Sequence, residues 1–91
     1  MAVEVKLPAL LRVHADGASS VTTDGATVGE IFGELTTRFP GLAGNLVDAD
    51  GQLHKFVNVY RNDDDIRYLE ALDTKVADGD VISILPAVAG G

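Results

Sequence analysis

Few residues of this chain stand at spacings that a side-chain site would use. Asp48, Asp50 and Gly51 open like a calcium loop. With Asp48 first, Gln52 falls at the fifth position, Leu53 takes the sixth, where the loop needs glycine, and Val59 takes the twelfth, where it needs a bidentate glutamate. The segment therefore reads as a turn. Asp63, Asp64 and Asp65 are successive, and three neighbouring side chains in one turn do not converge on a cation, so they read as a solvated loop. His14 and His54 are far apart in sequence, with no cysteine and no helical i, i+4 partner to complete a zinc signature, and both are expected at exposed loops or strand ends. Ser19, Ser20 and Ser83 lack the glycine pattern of a nucleophile elbow. Gly25, Gly29 and Gly33 lack the spacing and the lysine of a phosphate loop. No metal and no catalytic side chain is expected.

The remaining candidate is the end of the chain, Pro86-Ala87-Val88-Ala89-Gly90-Gly91. It carries no charge, nothing bulky after Val88, and two terminal glycines. Without Cβ atoms, Gly90 and Gly91 can enter a narrow channel in extended form and leave the terminal carbonyl open to a reagent on either side. Chemistry on the C-terminal carboxylate would need that. Two glycines at an ordinary frayed end would look the same, so the elements before them decide how they are read.

Composition narrows the partners. The 91 residues suit one domain with a modest core, and 46% apolar content suffices without disulfides or a structural metal. Fourteen carboxylates against seven Lys and Arg give a formal charge of -7, which opposes binding to nucleic acid or to anionic membrane. The acidic surface keeps a small protein in solution and can also steer it to a basic partner. No stretch approaches the ~20 apolar residues of a membrane span, and the start lacks the pattern of a signal peptide, so a cytoplasmic location is expected. The absence of cysteine removes disulfides, thiolate metal sites and thiol nucleophiles together.

The elements that would carry the tail follow from periodicity. Val3, Val5 and Leu7 alternate with Glu4 and Lys6 as a half-buried strand. A turn at Ala15-Asp16-Gly17 leads to an edge strand over 19–23, making a hairpin. Thr27 and Glu30 form a capping box, and Val28, Ile31, Phe32, Leu35 and Phe39 make the apolar stripe of a helix stopped by Pro40-Gly41. Gly29 and Gly33 within it suggest close packing against a neighbouring backbone. Residues 41–55 read as a long connection with one short helical turn, anchored by Leu42, Leu46 and Val47. Residues 56–60 form a strand, 62–65 a turn and 66–68 a short returning strand. Asp78-Gly79-Asp80 then feeds a final strand, Val81 to Leu85, ended by Pro86. That order suits an α+β fold of the β-grasp type: a mixed sheet of four to five strands on one main helix, with the last strand parallel to the first and Val3, Val5, Ile82 and Ile84 buried between them. Residues 1–86 are read as the domain and 87–91 as a flexible tail.

Phe56-Val57-Asn58-Val59-Tyr60, the Asn62-Asp63-Asp64-Asp65 turn, Ala77-Asp78-Gly79-Asp80 and the run from Ile84 to Gly91 make the sequence resemble the ubiquitin-like sulfur carriers, the group that includes ThiS of thiamine synthesis and MoaD of molybdopterin synthesis. The resemblance spans nearly the whole chain and is strongest towards the branch that feeds an actinobacterial cysteine synthase. Ala87 departs from MoaD-like chains, which commonly have a second proline there. The resemblance implies that an E1-like enzyme, using ATP and magnesium, adenylates Gly91 and that a sulfur donor turns the acyl adenylate into a thiocarboxylate. It also implies a pyridoxal-phosphate-dependent cysteine synthase as acceptor and a JAMM-type metalloprotease that releases cysteine. The chain would be a carrier and bind no cofactor itself. Other acceptors, namely thiamine, molybdopterin or a thiosugar, stay open, as do a modifier joined to target lysines and a plain β-grasp interaction domain.

Partner docking would need apolar residues beside the tail. If Ile82 and Ile84 face the helix, Val81, Ser83 and Leu85 face outwards. If Val57 and Val59 face inwards, Phe56 and Tyr60 extend the same outer face. Leu85, Phe56 and Tyr60 are therefore the expected partner interface.

Overall fold

A computed structural model describes residues 2–54 and 57–86. Phe56 and the tail residues Ala87, Val88, Ala89, Gly90 and Gly91 lie outside the described residues.

The strands are β1 (Ala2–Lys6), β2 (Ser20–Asp24), β3 (Val57–Arg61), β4 (Asp64–Asp65) and β5 (Val81–Pro86). They form one five-stranded sheet in the order β2-β1-β5-β3-β4. Hairpin partners β1 and β2 are antiparallel, with Val5 opposite Val21 and Val3 opposite Thr23. The last strand returns to lie parallel to the first, Val5 beside Ile82, and antiparallel to β3, Val59 opposite Ile84. Because directly paired residues share a face, this register gathers Val3, Val5, Val21, Val57, Val59, Ile82 and Ile84 on one side, where all are buried.

That side is covered by α2 (Val28–Arg38), whose Val28, Ile31, Phe32 and Leu35 are buried while Phe39 packs at the margin. Thr27 Oγ1 accepts from Glu30 N at 3.2 Å, as a capping box requires. Glu30 Oε1 accepts in turn from the backbone N–H of Ala26, one residue further out than Thr27. Of the two helix glycines only Gly29 fits the close-packing expectation. A Cβ there would lie 3.1 Å from the Leu72 carbonyl oxygen, whereas Gly33 has nothing within 4 Å of its own.

The connections depart from the sequence reading before β2 and after β4, while the segment after α2 holds the short helical turn and the anchors expected of it. Residues after Pro8 form a single helical turn, α1 (Ala9–Arg12), then a 3₁₀ turn, Val13–Ala15, which brings Leu11 and Ala15 into the core. The connection after α2 contains a 3₁₀ turn, Pro40–Leu42, and one α turn, α3 (Ala43–Leu46), with Leu42 and Leu46 fully buried and Val47 half-buried. Ile66–Tyr68 is not a strand but a 3₁₀ turn, because Asp65 Oδ1 accepts from Arg67 N at 2.9 Å and turns the backbone away after only two residues of β4. Asp48 forms the expected turn, its Oδ1 accepting from the N–H groups of Asp50 and Gln52.

Candidate functional site

The site is built around β5, whose last residue, Pro86, immediately precedes the Gly-Gly tail in sequence. Asp78-Gly79-Asp80 anchors the start of this strand on both sides. Gly79 has φ of +88°, which suits glycine, and its N–H donates to the Ala2 carbonyl at 2.9 Å while Ala2 N donates to Asp78 Oδ1 at 2.8 Å. The turn is thereby tied to β1.

Asp80 ties it to β3. Its carboxylate accepts from Ala77 N at 2.8 Å, Arg61 Nε at 3.0 Å and Asn62 Nδ2 at 3.2 Å. Donation by the Ala77 N–H is the largest influence, with Asn62 and Arg61 adding to it, and together they outweigh desolvation and hold the carboxyl below its ordinary pKa. Asn62 sits in the left-handed region at φ 55°, which asparagine tolerates. From there it bonds Val81 twice, its N–H to the Val81 carbonyl at 2.7 Å and its Oδ1 from the Val81 N–H at 3.1 Å. Sequence reading placed Asn62 and Asp80 in separate turns. Their contact joins residues eighteen apart in the chain, and neither turn alone signals it.

With its start fixed, β5 runs through the sheet centre, Ile82 and Ile84 inwards and Val81, Ser83 and Leu85 on the opposite face. No helix among the described residues covers that face. Leu85 is 47% exposed and lies opposite Asn58, while Tyr60 lies opposite Ser83 and is half-buried. The structure thus brings Leu85 and Tyr60 to one face as expected. Arg67 braces the same corner, with Nη1 donating to Asn58 Oδ1 and Nη2 to the His54 carbonyl, each at 2.9 Å. Sequence reading missed Arg67, whose role depends on the 3₁₀ turn that replaced the expected strand.

His14 is exposed, and His54 is half-buried at the end of the sheet rather than exposed. Among the described residues no three His, Asp or Glu side chains gather where they would hold a metal ion, and no helix is long and apolar enough to cross a membrane.

A five-stranded mixed sheet of this order packed on one long helix is the ubiquitin-like β-grasp fold. The chain belongs to the ThiS family, whose model matches residues 5–91, and so to the sulfur carriers of ThiS/MoaD type. It is 45% identical to the sulfur carrier protein CysO of Mycobacterium tuberculosis over the full length of both. A chain of the Amycolatopsis orientalis BexX/CysO complex superposes with a TM-score of 0.91 at 48% identity, covering 99% of this chain and all of the other. Small archaeal modifier protein 3 of Haloferax volcanii is 41% identical over 75% of this chain and 73% of its own.

Proposed function

We propose that this sulfur carrier works through the Gly91 carboxylate, which an E1-like enzyme activates and a sulfur donor converts to a thiocarboxylate. In the first step a carboxylate oxygen attacks the α-phosphorus of ATP, with magnesium on the phosphates, and pyrophosphate leaves. In the second, sulfide sulfur attacks the acyl carbonyl and AMP leaves. The carrier is a cosubstrate in both, and the activating enzyme holds the ATP and the metal. Residues 87–91 serve as the tail that enters the partner's active site. Leu85, Phe56 and Tyr60 serve as the docking face.

The observation that supports this most is the continuity of the tail with β5. The tail follows in sequence on Pro86, the last residue of a strand held in the centre of the sheet, so a partner that grips the sheet holds the point from which the tail starts. The absence of cysteine fits the same chemistry, since no internal thiol competes for the activated carbonyl.

Cysteine synthesis is the destination the CysO likeness favours. There the thiocarboxylate sulfur adds to the β-carbon of an aminoacrylate on the synthase's pyridoxal phosphate, and a JAMM-type metalloprotease frees the cysteine. The likeness to a BexX/CysO complex supports a partner enzyme for a carrier of this shape. The likeness to an archaeal modifier protein favours a second reading, attachment of Gly91 to target lysines. Conjugates that survive reducing denaturation and map to lysine would mark that use. Adenylation itself is tested by exchange of labelled pyrophosphate into ATP by the activating enzyme: exchange that depends on the intact carrier is expected, and exchange unaffected by deleting Gly91 would exclude it.

A further inference from the structure

Leu85 offers the partner only the outer side of the tail's root. On the inner side, at the end of β5, a cavity of about 170 Å³ opens between Pro8, Leu10, Leu11, His54, Val57 and Pro86. Its walls are mainly apolar, and Leu10 stands 71% exposed at the opening. Small-molecule sites usually enclose about 300–1,000 Å³, so this one is too small for a nucleotide and suits one bulky side chain. The floor is fixed: Leu11 and Val57 belong to the buried core, and the His54 carbonyl is held by Arg67.

The occupant follows from the tail. Extended at about 3.3–3.6 Å per residue, the chain beyond Pro86 reaches about 17 Å. An enzyme that takes the whole tail into a channel to reach Gly91 closes its surface against Pro86 and the cavity beside it. Val88 of the chain itself is the poorer occupant, since folding the tail back orders several residues for the burial of one valine. A second copy would bring together two chains of formal charge -7 each.

We infer that this cavity is an anchor pocket for an aliphatic or aromatic side chain of the enzyme that activates the tail, so that the root of the tail is gripped from both faces, Leu85 outside and the Pro8–Leu10–His54 pocket inside. The inference rests on the carrier function proposed above. Well-packed apolar anchors of this kind dominate the energetics of protein interfaces.

The test measures binding of the full chain to the activating enzyme purified from the same organism, by calorimetry, beside the KM and kcat of carrier-dependent pyrophosphate exchange. Leu10→Asp is expected to raise Kd and KM at least ~10-fold, about 1.4 kcal/mol, with kcat and the unfolding temperature unchanged. Filling the pocket with Asn45→Trp, at its rim, should act in the same direction. Deleting Gly91 should abolish exchange yet leave Kd within a few-fold of wild type. Unchanged Kd in both pocket variants, with wild-type exchange intact, would overturn the pocket while leaving the carrier function standing. Tighter binding on Leu10→Asp would assign the pocket to Val88, and a wild-type dimer that the substitution dissolves would assign it to a second copy; either overturns the inference. Wild-type carrier that supports no exchange would remove the carrier function itself, and the pocket's assignment with it.

Discussion

Asn58 and Leu85 stand directly opposite each other on the face of the sheet that no described helix covers, and the Asn58 side chain is held from behind by Arg67. The pair places a braced polar group against a half-exposed apolar one at the point where the chain leaves the sheet. Leu85→Asp should weaken binding to the activating enzyme at least ~10-fold, about 1.4 kcal/mol. Because the side chain is 47% exposed, the unfolding temperature should hardly move. Unchanged affinity in the folded variant would remove Leu85 from the interface.

Asp80 sets a pH dependence. Its native pKa lies below the ~3.9 of an unfolded aspartate, so its stabilising contribution is complete above that value and is lost as pH falls through the lower native one. Asp80→Ala should cost about 1–2 kcal/mol at neutral pH, where it leaves Ala77 N, Asn62 and Arg61 without their acceptor. In denaturant titrations the gap between variant and wild type should narrow below about pH 4. A gap that widened on acidification would contradict the assignment.

Thr23 faces the core from β2, 2% exposed, and its hydroxyl has no hydrogen-bond partner among the described residues. Valine has nearly the same shape without the unsatisfied oxygen. Thr23→Val should raise stability by about 1 kcal/mol. Destabilisation in thermal melts would point to a partner for that hydroxyl.

The two glycines of α2 should answer differently to alanine. Gly33 is open to solvent, so Gly33→Ala should stabilise by about 1 kcal/mol through helix propensity. At Gly29 the new methyl meets the Leu72 carbonyl, and the gain should be smaller or reversed. Equal gains at both positions would show that the contact at Leu72 yields without cost.

These pairs also show what the sequence made legible. Alternation in Val3-Val5-Leu7 and Ile82-Ile84, and the stripe from Val28 to Phe39, carried the sheet, the long helix and their burial, because period and facing are local properties. The parallel pairing of β1 with β5 followed from the order of the elements. Ile66–Tyr68 was misread because β-branched and aromatic residues suit a strand, whereas the Asp65 side chain, capping Arg67 N, decides otherwise. The bracing by Arg67 and the inner pocket escaped notice because their residues meet only when the ends of separate segments converge. The Asn62–Asp80 clamp was hidden in two turns for the same reason. The terminal glycines were plain in the sequence, and the fold adds the central strand that precedes the tail.

The carboxylate chemistry is tested most directly by intact mass. The carrier is incubated with its activating enzyme, ATP, magnesium and a sulfide source, and its mass is measured with the C-terminal peptide sequenced. The expected result is a gain equal to the mass by which one sulfur exceeds one oxygen, located at Gly91 and absent from a chain lacking that residue. A gain located elsewhere, or no gain with an enzyme that adenylates the carrier in the same tube, would contradict it.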